Sequence, residues 1–304
     1  MFILNKIASR IRRHNRTLFS LDSRLDELKL NQGKILGELN KLKRSRNIQD
    51  YEFKIFSQWG EDGIITKLVS CLEIKNKTFI EFGVQDFTES NCRYLMMNNN
   101  WAGFVIDGSS ENIHRLRSSY YYHQYQIDSA AAFITKENIN ELLRQSRFDR
   151  DLGILSIDLD GVDYYICEAI EEFQPRILIL EYNAVFGKDR KITVPYEAAF
   201  LRTKNHYSNL YYGASLAAMQ YLADIKGYTI VGTTTSGGNA FFVRNDLINI
   251  ELMDFTANAA FSDSTSRESR DVGGELTYVI GSDRLAIIKG LPVLNVVSGQ
   301  IETI

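Results

Sequence analysis

The chain has 304 residues, of which 44% are hydrophobic, and its formal net charge is −3. This length and composition suit one large globular domain with an appendage, and the slightly acidic balance argues against nucleic acid as the main partner. We see no signal peptide and no apolar run of the roughly 18 residues that a membrane-spanning helix needs. Cys71, Cys92 and Cys167 form no C-x-x-C pair, so we expect buried thiols in a reducing cytoplasm.

Residues 1–46 differ from the rest of the chain in charge and in pattern. They contain 12 basic and 4 acidic residues, which gives +8, whereas the remainder carries −11. Their apolar residues follow a heptad, and ten of the twelve a and d positions are apolar. The a positions are Leu4, Ile11, Leu18, Leu25, Gln32 and Leu39, and the d positions are Ile7, His14, Leu21, Leu28, Ile35 and Leu42.

This heptad predicts an N-terminal coiled coil over residues 1–48, with a homo-oligomer formed through residues 1–46. Gln32 at a single a position would fix the register, while Gly33 and Gly37 weaken the helix near its middle. One alternative is a single amphipathic helix that lies on the body of the protein. Another is a basic tip that touches an anionic membrane, which would place the protein peripherally at the inner membrane face.

The globular domain is predicted for residues 49–250, and it begins with a helix over 64–72. A β-α-β unit follows, with a strand at 78–84, a helix at 90–98 and a strand at 103–106. Glu81 lies near the end of the first strand, and Asp107 ends the second. Ligands of open α/β sheets bind at this carboxyl edge.

Further β-α repeats predict an α/β fold with a doubly wound parallel sheet. We place the third strand at 121–127, ending at Asp128, the fourth at 152–157 and the fifth at 176–180. A polar and aromatic loop at 186–212 covers the strand ends, a helix spans 213–226, and strands at 227–231 and 239–243 form a closing hairpin. Residues 251–304 form a C-terminal extension that packs on the domain, with a final strand at 291–297.

The residues around the first two strands favour a nucleoside ligand. An acid placed like Asp107 commonly binds a ribose hydroxyl pair. A dinucleotide fingerprint needs three glycines, whereas here only Gly83 is present, and Asp86 and Glu89 would repel a pyrophosphate. S-adenosylmethionine is the common ligand of this kind. In the alternative interpretation, Gly83 is a turn glycine and Asp107 is a helix N-cap.

The chain resembles class I S-adenosylmethionine-dependent methyltransferases, and within them the FkbM-type group associated with bacterial surface-glycan and natural-product clusters. The resemblance covers about residues 50–245 and depends on the segments 79–83, 104–107, 155–161 and 239–243. It implies a seven-stranded, mostly parallel Rossmann-like sheet that binds S-adenosylmethionine. Glu81 and Gly83 would border its methionine part, Asp107 the ribose and Asp128 the adenine. The group's second glycine is replaced here by Gln85 or Asp86.

Polar side chains also follow the fourth and fifth strands, and they suggest a metal. Asp158, Glu181 and Asn183 would converge because adjacent strands lie about 4.8 Å apart, and hard oxygen ligands suit Mg²⁺. The layout is similar to that of catechol-type and macrolide-sugar O-methyltransferases. In the alternative interpretation, these groups cap helices and bond loop amides.

The leading functional hypothesis is O-methyl transfer to a sugar hydroxyl of a surface glycan or its precursor. The hydroxyl needs a base or a metal, and the candidate bases are Asp160, Asp163 and His206, although His206 is as readily a plain loop histidine. One alternative is a non-catalytic oligomeric scaffold with a degenerate methyltransferase fold, which the missing second glycine favours. Another is a sugar-nucleotide-modifying enzyme, which the lack of a phosphate loop disfavours.

Overall fold

The computed structural model describes residues 2–304, with side chains for residues 21–304. The helices are α1 Phe2–Leu42, α2 Glu61–Cys71, α3 Arg93–Asn99, α4 Ser110–Ser118, α5 Tyr120–Gln124, α6 Ile139–Arg144, α7 Asp163–Ala169, α8 Arg202–Asn205, α9 Leu216–Ile225, α10 Ile250–Asn258 and α11 Ser282–Ile287. The strands are β1 Thr78–Phe82, β2 Ala102–Asp107, β3 Ile127–Ala131, β4 Ile154–Ile157, β5 Ile177–Glu181, β6 Ile192–Thr193, β7 Tyr228–Thr233, β8 Asn239–Arg244, β9 Pro292–Asn295 and β10 Ile301–Thr303. Within this part of the chain, no helix is both long and apolar enough to cross a membrane.

The main sheet has seven strands in the order β3-β2-β1-β4-β5-β8-β7. The first five are parallel, and β8 runs antiparallel to both of its neighbours. This confirms the predicted Rossmann-like methyltransferase sheet. The central strands are continuous apolar runs because both of their faces are buried. The carboxyl ends of β1, β2, β4 and β5 therefore meet at one edge.

The sheet separates two apolar cores, one on each face. One core contains buried side chains of α6, α7 and α9. The other contains those of α2, α3, α4 and α10, together with Trp101 and Tyr51. Helices on both faces are what a right-handed, doubly wound connection produces.

The prediction for the third strand is wrong. The strand begins at Ile127, and the aromatic run before it forms α5. Aromatic residues favour strands in isolation, but the Ser119 hydroxyl accepts from the Tyr122 amide and caps a helical turn. This turn places the Tyr120 hydroxyl where it donates a hydrogen bond to Asp26 of α1 at 2.6 Å.

One face of α1 packs on the domain. Asp26, Gly33 and Asn40, spaced seven residues apart, are buried there. Asp26 forms an ion pair with Arg93 at 2.6 Å, and the Asn40 amide donates to the Tyr51 carbonyl at 2.6 Å. This face of α1 therefore agrees with the alternative interpretation, in which an amphipathic helix lies on the body of the protein. The leucines of the heptad point elsewhere, and the heptad positions before residue 21 lie outside the described side chains, as does the basic tip.

Residues after the main sheet pack back onto the domain. α10 lies against β7, and β9 pairs with both β10 and β6 in a small three-stranded sheet. β9 confirms a strand within the predicted range 291–297, but the final strand is β10. The Arg284 side chain is buried and forms an ion pair with Asp263 at 2.7 Å, so this region is joined internally as well as to the domain.

Candidate active site

A cavity of about 570 Å³ opens at the carboxyl edge of the main sheet. Its walls come from the loops after β1, β2, β3, β4 and β5, from residues 200–212, and from residues 264–284. The volume lies within the roughly 300–1,000 Å³ of small-molecule sites. The position is the one expected for ligands of an open α/β sheet.

The turn after β1 brings the backbone close to β4. Gly83 has φ +70°, and a Cβ atom there would overlap the carbonyl oxygen of Asp158, so only glycine fits. Gln85 takes a left-handed conformation, with φ 50°, near the point where the family's second glycine is expected. The loop therefore keeps a glycine-like path without a second glycine.

Asp107 is held at the end of β2 by this turn. Its Oδ2 atom accepts from the Gln85 amide at 2.8 Å, and its Oδ1 atom accepts from the Ser109 amide at 2.8 Å and the Asn112 side chain at 3.2 Å. A carboxylate offers about four acceptor positions, so Oδ2 keeps one for a ligand. The N-cap of α4 is Ser109, which leaves Asp107 free of the capping role considered in the alternative interpretation.

Two exposed aromatic side chains line the cavity, and one of them lies at this end. Trp59 is 42% exposed and Phe133 is 46% exposed, although both line the cavity. A Cβ atom on Gly108 would lie 3.6 Å from the Phe133 ring, which places that ring beside Asp107. The sequence interpretation missed Phe133 because it placed the third strand too early.

Asp128 does not reach the cavity. It is exposed and lies opposite Phe104, whereas the end of β2, Asp107, lies opposite Ala131. The adenine contact predicted for Asp128 therefore does not fit its position.

Glu81 binds the segment before α3 and does not face the cavity. Its buried carboxylate accepts from the Ser90 hydroxyl at 2.7 Å and from the amides of Asn91 and Cys92 at 2.7 and 3.1 Å. These bonds tie the chain just before α3 to the end of β1. Glu81 is absent from the cavity wall, so the predicted contact with the methionine part does not fit it.

Asp158 and Glu181 form a carboxyl pair on the cavity wall. Ile157 lies opposite Leu180 in the sheet, so Asp158 and Glu181 leave adjacent strands side by side. Burial, reinforced by the neighbouring carboxylates, raises the pKa of both groups well above the ordinary range. The buried Oε2 atom of Glu181 has no hydrogen-bond partner among the described residues. In such a pair each carboxyl group raises the pKa of the other, so an ionised member is a stronger proton acceptor than an isolated carboxylate.

The predicted magnesium site does not fit this arrangement. The Asn183 amide donates to the carbonyls of Leu210 and Tyr212, both at 2.9 Å, and its oxygen accepts from the Val185 amide at 3.0 Å. It thus holds the covering loop and has little capacity for a metal. In residues 21–304, no group of three or more acidic, histidine or cysteine side chains is placed to hold a metal ion, whereas Mg²⁺ prefers octahedral coordination by oxygen atoms.

Two of the three predicted bases do not line the cavity. Asp163 is 1% exposed, and its carboxylate accepts from the amides of Leu159 at 2.7 Å and Gly161 at 3.1 Å. His206 shares a hydrogen bond with the Ser208 hydroxyl at 2.7 Å, and burial lowers its pKa. Asp163 shapes the loop after β4, and His206 belongs to the covering loop.

Asp160 does line the cavity and meets a residue that sequence reasoning missed. Arg202 donates to it at 2.6 Å, donates to the Asn209 carbonyl at 2.6 Å, and lies over the Tyr212 ring at 4.1 Å. Glu268 approaches the same guanidinium at 4.0 Å. The covering loop predicted at 186–212 thus contributes a cation that joins the loop after β4 to the C-terminal region.

The C-terminal region forms the remaining wall of the cavity. Ser264, Ser266, Glu268 and Arg284 all line it. No periodic pattern in the sequence marks these residues. The wall is polar, and both of its nearby arginines are paired with acids.

No protein-family model matches the chain, and no curated protein sequence matches it. Among solved structures, it is similar to a S-adenosylmethionine-dependent methyltransferase from Clostridium acetobutylicum, at 10% identity over 60% of this chain and 90% of that one, with a TM-score of 0.38. It is similar to a putative O-methyltransferase from Klebsiella pneumoniae, at 10% identity over 71% and 90%, with a TM-score of 0.40. It is also similar to M. capricolum TrmK in complex with S-adenosylhomocysteine, at 10% identity over 62% and 73%, with a TM-score of 0.35. These likenesses are distant, and the strand order itself defines the fold.

Proposed function

We propose that the protein is an S-adenosylmethionine-dependent O-methyltransferase that acts on a hydroxyl group of a neutral sugar or glycan. The observation that carries this proposal is that one cavity has both a candidate nucleoside-binding end and a pair of carboxyl groups in its wall. Asp107 and the turn at Gly83 stand at one end, and the carboxyl pair Asp158–Glu181 stands beyond them. The end with Asp107 suits a nucleoside, and the carboxyl pair suits a substrate hydroxyl that must lose a proton.

The cofactor end fits S-adenosylmethionine better than a phosphate-containing nucleotide. Asp107 keeps a free acceptor position for a ribose hydroxyl, and the Phe133 ring lies where an adenine next to that ribose would stack. The cavity wall has five acids but only two arginines, which are already paired with acids. A negative wall attracts a cationic sulfonium and repels a pyrophosphate.

The chemical task of the protein is to position the hydroxyl and to remove its proton. S-adenosylmethionine, when bound, supplies an electrophilic methyl group, so orientation of the acceptor is a large part of the catalysis. The unpartnered Oε2 atom of Glu181 is an acceptor for the hydroxyl hydrogen. Burial and the adjacent Asp158 raise the pKa of Glu181, so its carboxylate, once ionised, is a stronger base than an ordinary carboxylate.

The acceptor end supports a neutral polyhydroxyl substrate. Asp160, Arg202, Glu268 and the hydroxyls of Ser264 and Ser266 offer both donors and acceptors. Among the described residues, the wall has no spare cation for an anionic group, which disfavours a sugar nucleotide. The FkbM-type resemblance of the sequence, with its association with surface glycans, points to the same class of acceptor.

Calorimetric titration and a methyl-transfer assay test this function. S-adenosylmethionine and S-adenosylhomocysteine should bind at micromolar to submillimolar concentration, and UDP-sugars should not. Labelled methyl groups should then reach a neutral glycan acceptor in a panel of sugars. A folded protein that binds neither ligand at millimolar concentration would refute the cofactor, and binding without transfer to any acceptor would favour the scaffold interpretation.

A further inference from the structure

The outward face of α1 carries an uncovered row of large apolar side chains. Their spacing alternates between four and three residues once Gln32 is included, so they form one continuous heptad seam. The members of this α1 seam are Leu21 at 52% exposure, Leu25 at 49%, Leu28 at 65%, Ile35 at 62%, Leu39 at 53% and Leu42 at 77%, together with the exposed Gln32.

The protein's own domain does not use this seam. It contacts α1 through Asp26, Gly33 and Asn40, which occupy b positions of the same heptad. A b position lies well away from the a and d stripe around the helix. The helix therefore has two separate faces, of which one is fixed on the domain and the other is open.

We propose that the α1 seam pairs with the same seam of a second copy in a parallel, in-register, two-stranded coiled coil. A repeat of 3.5 residues is the period that keeps an apolar stripe against a partner helix. A helix that only had to cover a domain or lie on a membrane needs a wider stripe with a period of 3.6.

The described seam offers a large part of the area that a stable dimer needs. A half-exposed, leucine-sized side chain has roughly 50–60 Å² of apolar surface left to bury. Six such side chains on each of two helices bury on the order of 650 Å². Stable interfaces begin at roughly 1,200 Å², so the described seam supplies about half of that area, and the same heptad continues in the sequence to Leu4.

Polar residues at the seam set the orientation. In a parallel, in-register pair, Gln32 faces the partner's Gln32, so the two amides satisfy each other. In an antiparallel pair, Gln32 faces Leu28 or Ile35 and is left without a partner, which is costly when buried.

Light scattering on the full chain tests the association. The mass should be twice the chain mass of 34.8 kDa. The double variant Leu25→Glu/Leu28→Glu should be monomeric and normally folded by circular dichroism, because both side chains are exposed in the single chain. The matched control Lys34→Glu, an exposed change off the seam, should remain dimeric.

Several results would overturn the proposal. A monomeric full chain, or a dimer that survives Leu25→Glu/Leu28→Glu, would show that the seam is not the interface. A trimer or tetramer would exclude two strands. Monomeric protein that binds vesicles containing anionic lipid through the seam would assign this face to a membrane.

Oxidative cross-linking tests the register. Gln32→Cys should give a disulfide-linked dimer, because facing a positions lie within the Cα separation of about 4.4–6.8 Å that a disulfide requires. Lys34→Cys is the control for the half-buried native Cys71 and for random collisions. Equal cross-linking of the two variants would overturn the parallel, in-register arrangement.

Discussion

Alanine at Gly33 should destabilise the protein, although helix propensity alone predicts the opposite. In an exposed helix, alanine is favoured over glycine by about 0.8–1.0 kcal/mol. A Cβ atom at Gly33, however, would lie 2.5 Å from Cε2 and 2.8 Å from the hydroxyl of Tyr94. Tyr94 is 2% exposed and packs edge-on against Phe53, so its ring has little room to move.

The two effects can be compared directly. Overpacking of this kind costs about 1–3 kcal/mol, which outweighs the propensity gain and leaves a net loss of about 1 kcal/mol. Gly37 lies one turn further along the same helix, and a Cβ atom there would be 3.9 Å from Thr66. Alanine at Gly37 should therefore stabilise the protein by up to about 1 kcal/mol.

Denaturant unfolding of both variants at one protein concentration measures the difference. The midpoints should move in opposite directions with little change in the slope of free energy against denaturant. Two equally stabilised variants would refute the reasoning, because they would mean that α1 does not rest on Tyr94.

Three further predictions concern the cavity. Asp107→Ala should weaken S-adenosylmethionine binding about 10- to 100-fold, as expected for a lost bond of about 1.5–3 kcal/mol to a charged group, while Asp128→Ala should leave the calorimetric affinity unchanged. Asp158→Asn should move the acid limb of the pH–rate profile to lower pH, because the pKa of Glu181 falls when a neighbouring negative charge is removed; an unmoved limb would exclude the pair as the base. Burial raises the pKa of Asp163 to about 6 from 3.8, so the folded protein holds this proton more tightly than the unfolded chain, and the stabilisation present below pH 4 is lost as the pH rises through 6. The unfolding free energy of Asp163→Asn should accordingly fall less between pH 4 and 7, by about 2 kcal/mol, and parallel curves for wild type and variant would contradict this.

Most of the sheet was predictable because buried parallel strands are marked by continuous apolar runs. The strands that contain Phe79, Val105, Leu155 and Ile179 all have this property. The third strand was not predictable in this way, since it lies at the sheet edge and has a weak pattern. The tyrosines before it instead form a helical turn that Ser119 caps and that places the Tyr120 hydroxyl on Asp26, about a hundred residues away in the chain.

The candidate site was predictable in position but only partly in role. Gly83, Asp107, Asp158 and Asp160 follow strands, and the structure brings all four to one cavity. Glu81 was misassigned because its carboxylate accepts from amides just before α3. No local sequence pattern indicates that these amides need an acceptor. Arg202, Phe133 and the C-terminal serines were missed for a related reason, since only the folded chain brings them to the strand ends.

One wall of the cavity has a consequence for protein synthesis. The main sheet ends at Arg244, whereas Ser264, Ser266 and Arg284 come later in the chain. A chain that has emerged from the ribosome only as far as Arg244 therefore presents every strand of the main sheet, with Asp107 and the carboxyl pair at its edge, but not yet the residues that complete the cavity wall. Until the C-terminal region has emerged and packed against the sheet, this edge is an open acidic groove.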